Sequence, residues 1–331
     1  MKNITIIGAG AVGCTIAHEL NRDTNRNNIT LVGRGTHLQH LKEHGILINN
    51  KGKEHITRIN CVETNDLNKM QDQDIILITT KSYDIPEAVK DIKSIYNNDT
   101  VVIPLANGLP WWFLLDLKNS LNSSDITNLG DLGSFQLENS VDKNLISQDR
   151  IIGGVIYTGA SITSPGHIVN KAGPKIIIGE INNTHSKRVT EISDIFSSAN
   201  LNHKISNNIR GEILNKLCWN IAFNTLSVIH NLNSKEMVDN ASVLNKAKNI
   251  MHEMKSLANS LNIDMKLDIE KHVTIASSAG SHKPSMLQDY ENEKKLETYA
   301  IVGSVIDIAN KLNLDLPNIN SMHQELIQKI N

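Results

Sequence analysis

The run Gly8-Ala9-Gly10-Ala11-Val12-Gly13 follows the apolar strand Ile4-Thr5-Ile6-Ile7 and opens a helical pattern. This is the G-x-G-x-x-G arrangement in the strand-before, helix-after setting of a dinucleotide-binding turn. Gly8 permits the tight turn, Gly10 lets backbone approach a pyrophosphate, and Gly13 lets helix and strand pack closely. The helix amides from Ala11 and Val12 onward point at the phosphates. The second strand, Ile29-Thr30-Leu31-Val32, ends in Gly33-Arg34-Gly35, with no acid until Glu43. A guanidinium at that place suits a ribose 2′-phosphate, so NADPH/NADP+ is expected over NAD(H). A solvated surface arginine is the competing reading of Arg34. Lys81 and Asn107-Gly108 follow the strands Ile75–Thr80 and Val101–Pro104, at the carboxyl ends where open α/β sheets bind ligands. Each also fits simple turn chemistry.

A second polar set lies far along the chain. Lys216, Asn220 and Asn224 recur at i, i+4 and i+8 in a run from Ile213 to Leu226 that is apolar on most sides. The spacing lines them along one helix face, and a buried lysine needs partners. Two readings stand: a cleft wall, or an internal hydrogen-bond network. Pro284-Ser285-Met286-Leu287-Gln288-Asp289, with Glu297 beyond it, adds a hydroxyl and a carboxylate. Ser285 and Gln288 match a capping box at a helix start. Free amides and a hydroxyl there also suit a substrate carboxylate. Glu297 borders the stripe Leu296, Ala300 and Gly303. It is either cleft-facing or a solvated glutamate beside Lys294 and Lys295.

The elements that must position these residues divide in two. Ile4–Ile7, Ile29–Val32, Ile75–Thr79 and Val101–Pro104 alternate with helical stretches at 11–21 and 84–95, the pattern of a parallel sheet. Shorter strands at Gly45–Asn49 and His55–Glu63 are expected to extend it. Residues 110–150 are irregular, beginning Pro110-Trp111-Trp112-Phe113 and carrying Gly130-Asp131-Leu132-Gly133. They are read as a functional loop or lid, with the two tryptophans packing it or lining a substrate mouth. A β pattern returns from Arg150 to Glu180. The polar stretch Asn182–Ser186 is placed as the domain boundary. Beyond it, Lys187–Ser198, Asn208–Ile229, Ser242–Leu261, Ser285–Lys311 and Asn318–Ile330 read as helices. The expected fold is an α/β Rossmann-type N-terminal domain with a mostly parallel, doubly wound sheet (1–182) and an all-α substrate-binding and dimerisation domain (186–331).

Composition removes several classes of function. A net charge of -2 over 331 residues offers no field for nucleic acid or an anionic membrane. No apolar stretch is long enough to span a bilayer. Cys14, Cys61 and Cys218 are far apart, and the 13 histidines show no metal-ligand spacing. A metal site is not expected, and a reducing cytoplasm fits.

Over essentially the whole chain these motifs resemble the ketopantoate reductase (2-dehydropantoate 2-reductase) family. The shared residues include Gly8–Gly13, Gly33-Arg34-Gly35, Thr80-Lys81-Ser82-Tyr83-Asp84, Asn107-Gly108, Gly153-Gly154-Val155, Asn215-Lys216-Leu217 with Asn220 and Asn224, and Ser285–Asp289 with Glu297. The resemblance implies NADPH-dependent reduction of 2-ketopantoate to pantoate, a step of pantothenate and coenzyme A synthesis. It implies Lys216 as general acid, with Glu297 positioning lysine and substrate. Asn220, Asn224 and Ser285 would bind a small 2-oxo acid. Arg34 and Lys81 would lie at the 2′-phosphate, and Asn107 near the nicotinamide ribose. A homodimer through the helical domain is implied as well. The chain departs from the family at Thr298-Tyr299, Val302-Gly303, Ser234 and the Pro110-Trp111-Trp112 loop. These departures bear on which 2-oxo acid is used. Two alternatives stand beside this reading: a reductase of another branched 2-oxo acid, and a non-catalytic NADPH-sensing protein.

Overall fold

The computed structural model describes residues 1–22, 27–50, 52–115, 117 and 145–331. They fall into two compact units, one formed by 1–106 and 145–209, the other by 107–117 and 210–331. Gly130-Asp131-Leu132-Gly133, and most of the stretch read as a loop or lid, lie outside the described residues.

The first unit is built on a five-stranded, wholly parallel sheet. Its strands are β1 (Lys2–Ile7), β2 (Asn27–Gly33), β5 (Asn60–Glu63), β6 (Ile75–Ile78) and β7 (Val101–Pro104), in the order β5-β2-β1-β6-β7. Strands covered on both faces read as unbroken apolar runs. Ile75–Ile78 and Val101–Pro104 are such runs, buried at every position. Pro104, which lacks the N–H a central strand needs, sits on the edge strand of this sheet. The helix Ala11–Leu20 packs Cys14, Ile16, Ala17 and Leu20 into the core formed with Ile4, Ile6 and Leu31. This is the α/β Rossmann-type fold that the alternating pattern requires.

Two sequence expectations are corrected in this unit. Of the shorter strands, only β5 extends the parallel sheet. β3 (Ile46–Asn50) and β4 (Lys53–Thr57) form a hairpin that joins β9 (Ala160–Ser164) and β10 (His167–Asn170) in a separate sheet, β4-β3-β10-β9. The boundary expected at Asn182–Ser186 is instead a tight connection. β11 (Lys175–Glu180) leads into the helix Lys187–Ser198, which returns to β12 (Asn202–Ile205), parallel to β11 in a third sheet, β12-β11-β8, with β8 at Ile152–Tyr157. Parallel neighbours need a crossover of this kind, so the first unit runs on to Ile209. The region beyond 186 is therefore not strand-free.

The polar residues of that connection close it. Ser186 caps the helix by accepting from the Val189 amide at 3.2 Å and donates to Glu180 Oε1 at 2.5 Å. Arg188 donates from Nε to Glu180 Oε1 at 2.7 Å and from Nη2 to Oε2 at 2.5 Å.

In the second unit every element described is helical. The helix Ile209–Trp219 continues through a π-helical stretch, Asn220–Asn224, into Thr225–His230. Leu214, Cys218, Ile221, Ala222, Phe223 and Leu226 along it are sealed from solvent. The long helix Ala241–Ser260 buries Val243, Ala247, Ile250, Met251, Met254, Leu257 and Ala258, the stripe expected of an amphipathic helix. Glu253 on it accepts the Asn318 and Ile319 amides at 2.8 and 2.9 Å, closing the open end of the helix Pro317–Ile330. Helices at Ser234–Asp239 and Ile269–Ser278 were not anticipated.

The expected helix Ser285–Lys311 is broken. Its first part ends at Glu291, and Glu293 takes the left-handed conformation with φ 53° while the Lys294 amide reaches back to the Asp289 carbonyl at 2.9 Å. A π-helical stretch, Tyr299–Gly303, and the helix Ser304–Lys311 follow. The capping box at Ser285 is also absent, because Pro284 is the N-cap and Gln288 donates to the Lys283 carbonyl instead.

Breaking a buried ion pair from one side leaves its partner uncompensated, which costs about 3–5 kcal/mol. Arg188→Ala is therefore expected to lower unfolding stability by about 3 kcal/mol in urea. A loss under about 1 kcal/mol, the range of exposed pairs, would show that Glu180 does not depend on it.

Candidate active site

The glycine turn has the shape the sequence motif requires. Gly8 adopts φ +109°, and a Cβ there would lie 2.9 Å from the Thr80 amide nitrogen. A Cβ on Gly13 would sit 2.0 Å from the Gly8 carbonyl oxygen, so only glycine lets the helix begin so close to the strand. A Cβ on Gly10, by contrast, would meet nothing within 4 Å. The helix Ala11–Leu20 that starts there has no side-chain cap and no acid in its first turn. An uncapped helix start beside open space is the arrangement that receives an anion. These features fit the diphosphate of a dinucleotide.

Arg34 extends beyond β2 with 71% of its side chain exposed, and its Nη2 lies 3.8 Å from the Asp84 carboxylate. A 2′-phosphate arriving at Arg34 would share the guanidinium with that acid. Lys81 follows β6 and precedes the short 3₁₀ turn Ser82–Asp84. Gly8, Gly10, Ala11, Val12, Gly13, Arg34 and Lys81 thus all belong to the first unit, at or just beyond the carboxyl ends of its parallel strands.

Asn107 belongs to the second unit. Its Oδ1 accepts from Lys216 Nζ at 2.9 Å, and its Nδ2 donates to Glu297 Oε2 at 3.1 Å. One amide therefore joins an amine and a carboxylate that are far apart in the chain. The segment holding it is fixed closely. Gly108 takes φ +83°, and a Cβ there would lie 2.3 Å from the Ala300 carbonyl oxygen. The Leu109 amide donates to that same carbonyl at 2.9 Å.

Glu297 is buried and stands where the next helix begins, since its carbonyl accepts from the Ile301 amide at 3.1 Å. The helix break at Asn292–Glu293 turns the chain so that this carboxylate reaches Asn107. Periodicity carried through from Ser285 could not foresee that. Burial pushes the Lys216 amine down to about 8, against the opposing pull of the Glu297 charge, which favours the ammonium form.

Asn220 and Asn224 are both buried. Asn224 Nδ2 lies 3.3 Å from Asn220 Oδ1 and 3.5 Å from Ser285 Oγ. Asn220 Nδ2 is buried with no hydrogen-bond partner among the described residues. A buried donor left unmade costs about 1–3 kcal/mol, so it is suited to receive a ligand oxygen. The π-helical stretch explains the alignment. In a regular α-helix, residues eight apart diverge by about 80° around the axis. The wider turn from Asn220 to Asn224 advances less per residue and offsets that drift. Such insertions are frequent at functional sites, and the sequence carries no local signal for them.

The structure thus unites Lys216, Glu297 and Asn107 by hydrogen bonds of 2.9 and 3.1 Å, and Asn220, Asn224 and Ser285 by longer contacts of the Asn224 amide at 3.3 and 3.5 Å. Trp111, Trp112 and Phe113 are buried, so they pack the loop. Among the described residues, no group of three His, Cys, Asp or Glu could hold a metal ion, and no helix is long and apolar enough to cross a membrane.

Residues 4–111 match the family described as ketopantoate reductase PanE/ApbA, and residues 208–330 match its C-terminal part. A 2-dehydropantoate 2-reductase from Mesorhizobium japonicum is 26% identical over 319 residues, covering 96% of this chain and 95% of its own. One from Pyrococcus horikoshii is 28% identical over 317 residues, covering 95% and 93%. Among solved structures, the 2-dehydropantoate 2-reductase of Geobacter metallireducens has a TM-score of 0.83 at 20% identity, covering 98% of this chain and 99% of that one. D-Mandelate dehydrogenase with NADH and anilino(oxo)acetate has a TM-score of 0.82 at 23% identity, covering 99% and 98%.

Removing the Glu297 charge withdraws the field that favours the ammonium. Glu297→Gln is expected to lower the pH midpoint of Lys216's reaction with an amine reagent, followed by peptide mass. An unchanged midpoint would remove Glu297 as the electrostatic partner of Lys216.

Proposed function

The chain belongs to the ketopantoate reductase family, and on that premise we propose that it reduces 2-ketopantoate to pantoate with NADPH. The family makes it an oxidoreductase. The observation that carries the finer reading is the Lys216–Asn107–Glu297 chain of hydrogen bonds, with an amine whose pKa is brought down to about 8. Gly8, Gly10, Ala11, Val12 and Gly13 would hold the cofactor diphosphate, with Arg34 and Lys81 at the 2′-phosphate. When bound, the cofactor supplies the hydride that reduces the keto carbon.

The protein's own part is to place the 2-oxo acid and manage one proton. Lys216 Nζ donates that proton to the keto oxygen as negative charge develops on it, and the neutral amine left behind regains a proton from water. Asn107 Oδ1 and Glu297 hold the ammonium before transfer. A lysine near pKa 8 is a stronger acid than one in water, yet remains largely protonated at neutral pH. Asn220 and Asn224 supply amide donors and Ser285 a hydroxyl for the substrate's carboxylate and hydroxyl oxygens. Positioning of this kind lowers the entropic cost of reaching the transition state.

The decisive assay follows NADPH oxidation with ketopantoate and a panel of other 2-oxo acids, with NADH in parallel. Turnover confined to another 2-oxo acid would reassign the substrate. Saturable NADPH binding without turnover on any 2-oxo acid would remove the enzymatic reading. General acid catalysis is worth roughly 10²–10⁴-fold, so Lys216→Ala is expected to lose about that much in kcat while keeping NADPH affinity. In the wild type, kcat/KM should fall as pH rises through about 8, where the amine loses the proton it must donate. A flat profile there would exclude Lys216 as the acid.

A charge-assisted hydrogen bond contributes about 1.5–3 kcal/mol, so Arg34→Ala should weaken NADPH about tenfold to a hundredfold and leave NADH nearly unchanged. Equal losses for both cofactors would dissociate Arg34 from the 2′-phosphate.

A further inference from the structure

Arg210 stands in the first turn of the helix that carries Lys216, and it is 2% exposed. A guanidinium so far from water is costly unless its donors are met. Its Nε donates to the Phe113 carbonyl at 2.8 Å and its Nη2 to the Leu115 carbonyl. Its Cζ lies 5.6 Å from the centroid of the Trp112 ring, within reach of a cation–π attraction. Three residues of one turn are thus tied to the base of the Lys216 helix. The other end of the same segment is tied elsewhere: Gly108 and Leu109 close against the Ala300 carbonyl, in the stretch that follows Glu297. Asn107 heads this doubly fastened segment and bridges Lys216 to Glu297.

We propose that Arg210 is a positioning residue of the reaction, which holds the Asn107 amide between Lys216 and Glu297 by anchoring the Trp112–Leu115 turn to the Lys216 helix. This rests on the reading of Lys216 as proton donor. The fork of the guanidinium is what suits Arg210 to the task, because it reaches two carbonyls from a fixed plane. Lysine offers a single point charge and cannot hold both carbonyls in the same geometry.

The test is a double-mutant cycle between Arg210→Gln and Asn107→Ala, with Arg210→Lys alongside. A misplacement of about 1 Å can cost on the order of a hundredfold in rate. Arg210→Gln is therefore expected to lower kcat at least about tenfold, with NADPH affinity within about twofold of wild type. In the Asn107→Ala background the same substitution should cost less than about twofold, because the group it positions is gone. Arg210→Lys should fall between. Loss of the Asn107 acceptor also disfavours the ammonium, so the basic limb of kcat/KM should move to lower pH in both arginine variants.

Equal fold-losses with and without Asn107, or an unmoved basic limb, would overturn the proposal and leave Arg210 a purely structural residue. Where Arg210→Gln does not yield folded protein, Arg210→Lys, which keeps the charge and most of the volume, carries the same cycle. Lys216→Ala in the same assay separates the two failures. Near-normal turnover in Lys216→Ala sinks the proton-donor reading. An inactive Lys216→Ala beside a fully active Arg210→Gln sinks only the positioning role. Should no 2-oxo acid turn over, the pH midpoint of Lys216's reaction with an amine reagent still decides, since Arg210→Gln must lower it.

Discussion

A protonatable amine held away from water is the constraint around which the second unit is organised. Lys216 cannot be an effective acid in bulk solvent, where it would hold its proton too firmly. It cannot be buried alone either, because desolvation would strip the proton at neutral pH. The structure resolves this with one carboxylate and one amide. The Glu297 charge favours the ammonium, and Asn107 accepts its hydrogen bond while donating to Glu297. The amide is the coupling element: it accepts from the amine and donates to the carboxylate, so one side chain fixes both groups.

Satisfying that constraint requires three remote segments to meet, and each pays with an irregularity. Asn107 precedes a glycine in positive φ pressed on the Ala300 carbonyl. Asn220 and Asn224 lie in one π-helical stretch, and Glu297 stands two residues before another, Tyr299–Gly303. In the second of these, a Cβ on Gly303 would lie 2.7 Å from the Tyr299 ring, so the glycine makes room for that ring, whose hydroxyl donates to Asp307 at 2.7 Å. Departures from regular helix are therefore concentrated next to the polar side chains, while the long helices at Ala241–Ser260 and Pro317–Ile330 remain regular.

This distribution explains what could be read from the chain. The parallel sheet and glycine turn were legible because their determinants are local: apolar runs between turns, and three glycines at fixed spacing. The helix Lys187–Ser198 was legible for the same reason, through its periodicity, whereas the Ser186 cap that starts it was read as part of a linker. The strand β12 was not, because Asn202-His203-Lys204-Ile205 is polar and edge-exposed, and only pairing with β11 makes it a strand. Lys216, Asn220 and Asn224 could be placed on one face. The link of Lys216 to Glu297 through Asn107 could not, since it depends on a left-handed turn at Glu293 and a contact at Ala300 that no periodicity reports. Ser285, read as a helix cap, has its hydroxyl beside Asn224 because proline takes the capping position before it.

The same logic gives a physical sense to the run Pro110-Trp111-Trp112-Phe113. Its aromatic rings are buried, which by itself would make the segment ordinary packing. Yet a buried arginine beneath it is a poor choice for packing alone, because apolar residues of similar volume fill a core at no electrostatic cost. What a guanidinium adds is direction: its donors fix two backbone carbonyls, and its face meets one ring. A core that needed only volume would tolerate sliding of the segment by fractions of an ångström. A core whose far end holds an amide at 2.9 Å from an acidic amine would not. The charge is thus buried where positional precision has value, at the base of the helix whose lysine has to meet its acceptor.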